Sequence, residues 1–195
     1  MNRRLDIFVE DRAHEYFIRA LVMRVAREEG KKVEVQIRSA TGGHGRAVSE
    51  FKKYMVLLEK RVLVRPELIV VGIDSNCSRF NAKRKEILDI GSQAYGPVVV
   101  AACPDPHVER WYMVDSGAFH SIVGSTPHIK QKKCKRDYYK AALANAIRQA
   151  GHPPTLSGLE FAEELAWAID MYASGKSDRS FASFIWDLRS AMRSL

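Results

Sequence analysis

Three acidic stretches in this chain each follow an apolar run closely enough to act together. Glu10-Asp11 follows Leu5-Asp-Ile-Phe-Val9, Asp74 follows Leu68-Ile-Val-Val-Gly-Ile73, and Asp105 with Glu109 follows Pro97-Val-Val-Val-Ala-Ala-Cys103. Carboxylates suit hard divalent cations, and Mg2+ typically keeps one or two of them beside water and substrate phosphate. If the runs are neighbouring strands of one parallel sheet, they lie about 4.8 Å apart and the acids at their ends converge on one cation. The competing reading is solvated acids that cap helices, a role for which Asp11 is well placed.

Basic residues accompany the acids. Lys130, Lys132, Lys133, Lys135 and Arg136 form the densest positive stretch, just ahead of Tyr138, Tyr139 and Lys140, while Lys83, Arg84 and Lys85 follow Asp74. Such residues grip phosphates, and tyrosines beside them pack or stack on bases; a basic run is equally often a solvated face. His44 lies in a glycine-rich loop, Thr41-Gly-Gly-His-Gly45, whose glycines permit close backbone approach to a phosphate or simply flexibility. His107 is a candidate to assist Glu109 or donate to phosphate, or else a structural part of its proline turn, and His14 reads as outside the ligand set. Neither a GxSxG elbow nor a Walker A loop is present, which argues against serine-hydrolase chemistry and against ATP hydrolysis by this chain.

The elements that must position these residues follow from periodicity. Leu5 to Val9 reads as a first strand, and Phe17, Ile18, Leu21, Val22 and Val25 as a helix that Gly30 stops. Val33, Val35 and Ile37 alternate with polar residues, predicting a half-exposed strand near an edge. A second helix runs from about Val48 to Val62, and a continuously apolar central strand from Leu68 to Ile73. A basic helix over 81–90 and a fourth buried strand over 97–103 come next. This β-α-β-α-β-α-β order predicts a parallel sheet with right-handed crossovers. Amphipathic helices are predicted over 136–150, 159–172 and 181–195, the second opened by Ser157-Gly-Leu-Glu160 as a capping box. The expected organisation is an α/β core over 1–125, of about four parallel strands flanked by helices, with a helical C-terminal subdomain over 126–195 packed on it.

The chain has 195 residues, 46% hydrophobic and 28% charged, an ordinary globular mix. Its longest apolar run, Leu68 to Ile73, is far short of the roughly 20 residues that span a bilayer. With Met-Asn-Arg-Arg leading directly into a strand, a cytoplasmic location and no membrane association are the expectation. The net charge of +8 favours a polyanionic partner, chiefly nucleic acid. Three widely spaced cysteines, Cys77, Cys103 and Cys134, read as reduced and without special role.

Phe8-Val-Glu10-Asp11 opening a helix, then Ile73-Asp-Ser-Asn76, then Pro106-His-Val-Glu-Arg-Trp111, together resemble the Toprim superfamily over about residues 5–115. The likeness is to the small Toprim proteins of phage-defence systems, related to the overcoming-lysogenization-defect nucleases. That family carries a glutamate after its first strand and a DxD-type pair after its third. The resemblance implies a Mg2+- or Mn2+-dependent nuclease with Glu10 and Asp74 as metal ligands and catalytic acids. Asn76 stands at the second acid of the pair, where it ligates only through its carbonyl and brings no charge. Glu109, or less directly Asp105, would then supply the missing charge, and Lys133 would be the lysine that stabilises developing charge. Trp111 is expected to be a packing anchor.

The resemblance further implies an effector of antiviral defence acting with a separate ATPase of the ABC or SMC-like class. The helical third would be its docking surface or a homodimer interface. Lys83, Arg84, Lys85, Lys130, Lys132, Lys135 and Arg136 would bind DNA or RNA. The alternatives are a catalytically weak Toprim module that binds nucleic acid or a partner, favoured by Asn76, and an α/β enzyme acting on small phosphorylated substrates.

Overall fold

A computed structural model describes residues 2–39, 44–92, 97–130, 134–135, 137–153 and 158–195. Four strands, β1 (Arg3–Val9), β2 (Val33–Ser39), β3 (Leu68–Gly72) and β4 (Val98–Ala102), form an all-parallel sheet in the order β2-β1-β3-β4. Helices α1 (Arg12–Glu28), α2 (His44–Glu59) and α3 (Phe80–Gly91) link successive strands. The α/β class, the central place of β3 and the edge position of β2 agree with the sequence pattern. β4 is also an edge strand, and Val98 at its start is exposed.

Alternation along the strands sends side chains to two apolar clusters, one on each face. Leu5, Ile7 and Val9 join Phe17, Ile18 and Leu21 of α1, whereas Phe8, Ile69 and Val71 join Phe51 of α2 and Ile87 of α3. Asp6 is the polar exception inside β1. It is fully buried and held by Arg38 Nε at 2.6 Å and by the Tyr54 hydroxyl.

The chain after β4 differs from the expectation. Two short helices, α4 (Val108–Tyr112) and α5 (Ser116–Val123), precede α6 (Tyr138–Gln149). The single helix expected over 159–172 is instead a 3-10 turn (Leu159–Phe161), α7 (Ala162–Ala168) and α8 (Met171–Ser177). Asp170 causes the break by accepting the Tyr172 and Ala173 N–H groups, and Arg24 Nη1 takes the Ala166 and Ile169 carbonyls at 3.0 and 2.7 Å. Ser157 of the expected capping box lies outside the described residues.

Helix α9 (Arg179–Ser194) buries Phe181, Phe184, Leu188 and Met192 in the α1-side cluster and packs on β4. Its apolar stripe is thus used within the chain. Trp111 is fully buried between Phe181 and Phe184, the anchor expected of it. Among the described residues no helix is long and apolar enough to cross a membrane.

Gly72 closes β3 where α1 crosses. A Cβ there would collide with the Ile18 side chain and meet Val9 Cγ1 at 3.0 Å. Overpacking of this kind costs about 1–3 kcal/mol, so Gly72→Ala should lower stability by that amount in urea denaturation. A variant as stable as the wild type would show that α1 does not need the space.

Candidate metal centre

Between β1 and β3 the chain direction of sheet growth reverses, and ligands in open α/β sheets collect at the carboxyl edge of such a switch point. Glu10 leaves β1 there and Asp74 leaves β3 beside it. Between them lies His14, on the first turn of α1. Asp11 is the N-cap of that helix, accepting the His14 N–H at 3.0 Å, which turns the imidazole back toward the sheet. Carboxylate and imidazole atoms of Glu10, His14 and Asp74 all lie within 4.8 Å of one another, and among the described residues this is the one such grouping.

His14 is fully buried and held at both ring nitrogens: Nδ1 lies 2.8 Å from Asp11 Oδ1 and Nε2 lies 2.9 Å from Asp74 Oδ1. A carboxylate only accepts, so both nitrogens carry protons and the ring is an imidazolium. Burial opposes that charge, but Asp74 and Asp11 outweigh it and push the pKa of His14 well above its usual value. The same contacts act reciprocally. Burial works against ionised Asp11, yet the hydrogen bond from His14 holds its carboxyl down at about 2.

Asp74 is nearly buried and accepts three hydrogen bonds. His14 Nε2 and the Val108 N–H, each at 2.9 Å, reach Oδ1, and His107 Nδ1 reaches Oδ2 at 2.8 Å. Despite burial, the charge of His14 and the bond from His107 lower its pKa. Glu10 sits 3.9 Å from His14 Nε2. There burial dominates, and with the negative charge of Asp74 it outweighs His14 and raises Glu10 to about 7. His107 is raised by its hydrogen bond to Asp74. The centre therefore holds firmly ionised carboxylates next to one that titrates near neutrality.

The expected residues separate into groups. Glu10 and Asp74 meet as predicted. Glu109 is outside the close grouping, although burial and the charge of Asp74 raise its pKa. It lines a cleft alongside with Asp11. Asn76 is exposed in the turn after β3 at φ 51°, a left-handed position that Asn tolerates, and its Nδ2 lies 3.4 Å from the Asp74 carbonyl. Asp105 donates its N–H to Ser180 Oγ at 3.2 Å.

The basic residues of α3 pair within the chain. Lys83 binds Glu86, Arg84 binds Asp187 of α9, and Lys85 binds Asp89. Lys130 and Lys135 are exposed, whereas Lys132, Lys133 and Arg136 lie outside the described residues. Tyr139 is buried, and the Tyr138 hydroxyl accepts the Lys130 N–H at 2.9 Å. Tyr139 thus packs in the core, and Tyr138, half-buried, anchors the start of the basic segment. Gly42 and Gly43 lie outside the described residues, and α2 begins at His44.

Sequence reasoning missed His14. Its signal was the spacing Glu10-x-x-x-His14 across a helix start, which places the fourth residue over the strand end. It also missed a disulfide: Cys77, just beyond Asp74, is bonded to Cys134, with Cα atoms 4.8 Å apart. Proximity across 57 residues is a tertiary fact that spacing does not reveal. Cys103 is free and buried, and burial pushes its thiol up to about 12. Compared with models of protein families, with curated proteins and with solved structures, the chain matches none.

Two predictions follow from the chemistry of these groups. A carboxyl whose folded pKa is raised from 4.5 to about 7 stabilises the fold below pH 4.5 and loses that contribution as pH climbs through 7. In EDTA, the wild type should lose up to about 3 kcal/mol between pH 4.5 and 8 relative to Glu10→Gln; parallel denaturation curves for the two proteins would refute this. Under non-reducing conditions, peptide mapping should recover Cys77 and Cys134 cross-linked, with Cys103 alkylated only after unfolding. Free alkylation of Cys77 in the native protein would contradict the pairing.

Proposed function

We propose that this chain is a divalent-metal-dependent hydrolase of phosphodiesters in nucleic acid. The observation that carries the reading is the convergence of Glu10, His14 and Asp74 within 4.8 Å at the switch point of a parallel sheet. Two carboxylates, with an imidazole once His14 gives up its Nε2 proton, are a donor set that suits Mn2+, and Mg2+ if the carboxylates and water dominate. Bound there, the cation supplies Lewis-acid polarisation of the phosphate and an activated water.

The chain's own groups do the rest. Asp74, fixed by three donors, presents its carboxylate in one orientation. Glu10, with a pKa of about 7, accepts or returns a proton at neutral pH. His107 is protonated more readily than an ordinary histidine and, being partly exposed, faces arriving substrate as a donor. The net charge of +8 favours a polyanion. The resemblance to Toprim defence nucleases extends the proposal to an effector acting beside a separate ABC- or SMC-like ATPase.

A second reading, a Toprim-like module that binds without cutting, is supported by Asn76 and by the imidazolium of His14 already lying between carboxylates. Purified protein incubated with plasmid, single-stranded DNA and tRNA in Mn2+ or Mg2+ separates the two. Under the first reading EDTA abolishes cleavage, and Glu10→Ala and Asp74→Ala each lower it by at least about 100-fold, the scale of a lost general base or metal ligand. Cleavage indifferent to both variants, or none in any metal, leaves the binding reading.

A further inference from the structure

Beside the metal centre lies a cleft of about 340 Å³ lined by Asp11, Arg12, Ala13, Glu109, Tyr112, Lys140, Leu143 and Leu159. It adjoins the centre through Asp11, whose carboxylate also holds His14, and through Glu109, which feels the charge of Asp74. Its wall is apolar: Tyr112 and Leu143 are buried, and Ala13 and Leu159 are half-buried.

Two cations flank that wall. Arg12 is the first residue of α1 and Lys140 stands on the first turn of α6, both exposed. Neither takes part in an ion pair among the described residues. By contrast, Arg110 is engaged with Asp178 and Arg84 with Asp187. Uncommitted cations beside an apolar wall and a carboxylate cluster match the parts of a nucleotide: phosphate, sugar and base.

We propose that this cleft is a nucleotide subsite, in which Arg12 and Lys140 bind one phosphate and the wall of Ala13, Tyr112, Leu143 and Leu159 takes the attached nucleoside. The proposal rests on the metal-centre reading and sharpens its substrate class. A volume of about 340 Å³ is at the small end of ligand pockets. That is a size for one nucleotide, and the subsite reading has the substrate entering as a single strand or a frayed end. The phosphate then lies between the two cations and the carboxylates, where a bound divalent cation offsets its repulsion from Asp11 and Glu109.

The test uses the full chain in Ca2+ with a 5′-phosphorylated thymidine dinucleotide, pTpT, as probe, read by calorimetry, with circular dichroism to confirm folding of each variant. Arg12→Ala and Lys140→Ala should each weaken pTpT binding by about tenfold or more, the scale of a lost charge-assisted hydrogen bond. Lys140→Arg should restore most of it, and Lys53→Ala, on the far helix α2, should leave it unchanged. A blunt duplex of the same sequence should compete poorly with the single strand.

Binding of pTpT that is unchanged in both variants, or absent from the wild type, overturns the subsite. Metal-dependent cleavage that still requires Glu10 would in that case leave the hydrolase reading standing. Conversely, Arg12- and Lys140-dependent pTpT binding without cleavage of any nucleic acid in any metal would support the subsite and remove the hydrolase.

Discussion

The carboxylate of Asp74 is the constraint on which the site depends. It is almost fully withdrawn from water, and a buried ionised group without partners costs several kcal/mol. Its three donors come from two different places: His14 from α1, and His107 and Val108 from the turn after β4. Asp74 itself lies two residues beyond β3. One side chain therefore fixes the relative placement of three segments that sequence order keeps apart. Gly72, two positions upstream, supplies the space that lets α1 come close enough for His14 to reach it.

The turn after β4 is in turn held from behind. Trp111 Nε1 donates to Ser180 Oγ at 3.0 Å, Ser180 Oγ donates to Asp178 Oδ1 at 2.6 Å, and Arg110 Nε lies 3.2 Å from Asp178 Oδ2. Asp178 also caps α9 through the Ser180 and Phe181 N–H groups. The helical C-terminal third thus supports the centre: α9 braces Trp111, and Trp111 belongs to the same short helix as Val108 and Glu109. Packing and polar contacts act together here, since Phe181 and Phe184 enclose the Trp111 ring while Ser180 satisfies its N–H.

Much of this was legible in the sequence because the signals are local and strong. Continuous apolar runs marked β3, alternation marked β2 as an edge, and acids directly after strands marked Glu10 and Asp74. What failed was what local pattern does not encode. His14 looks like an ordinary helical residue until the cap at Asp11 turns it toward Asp74. The break at Asp170 was hidden because Asp suits both a helix surface and an N-cap, and Arg24, distant in sequence, takes the carbonyls the break releases. The ion pairs that Lys83, Lys85 and Arg84 of α3 make with Glu86, Asp89 and Asp187, three, four and over a hundred residues away, were not read from the sequence either. Charge counting registers such cations without showing that they are engaged.

The charges in the centre offset one another. Asp11, at the exposed rim, and Asp74 are held ionised, His14 is held protonated, and the pKa of His107 is raised in the same direction. Glu10 completes the set as the group with an undecided proton, since burial makes one more negative charge unfavourable. This offsetting explains how His14 and Asp74 are buried as ions without unfolding the chain. It also determines how a divalent cation must enter. For a divalent cation to be held there as proposed, protons would leave, and the candidates are Glu10, which titrates near neutrality, and then the imidazolium of His14. Under the proposed function, loading the centre is an exchange of protons for metal. In that proposed reaction, the acid that titrates near neutral pH and the base that moves a substrate proton are the same side chain.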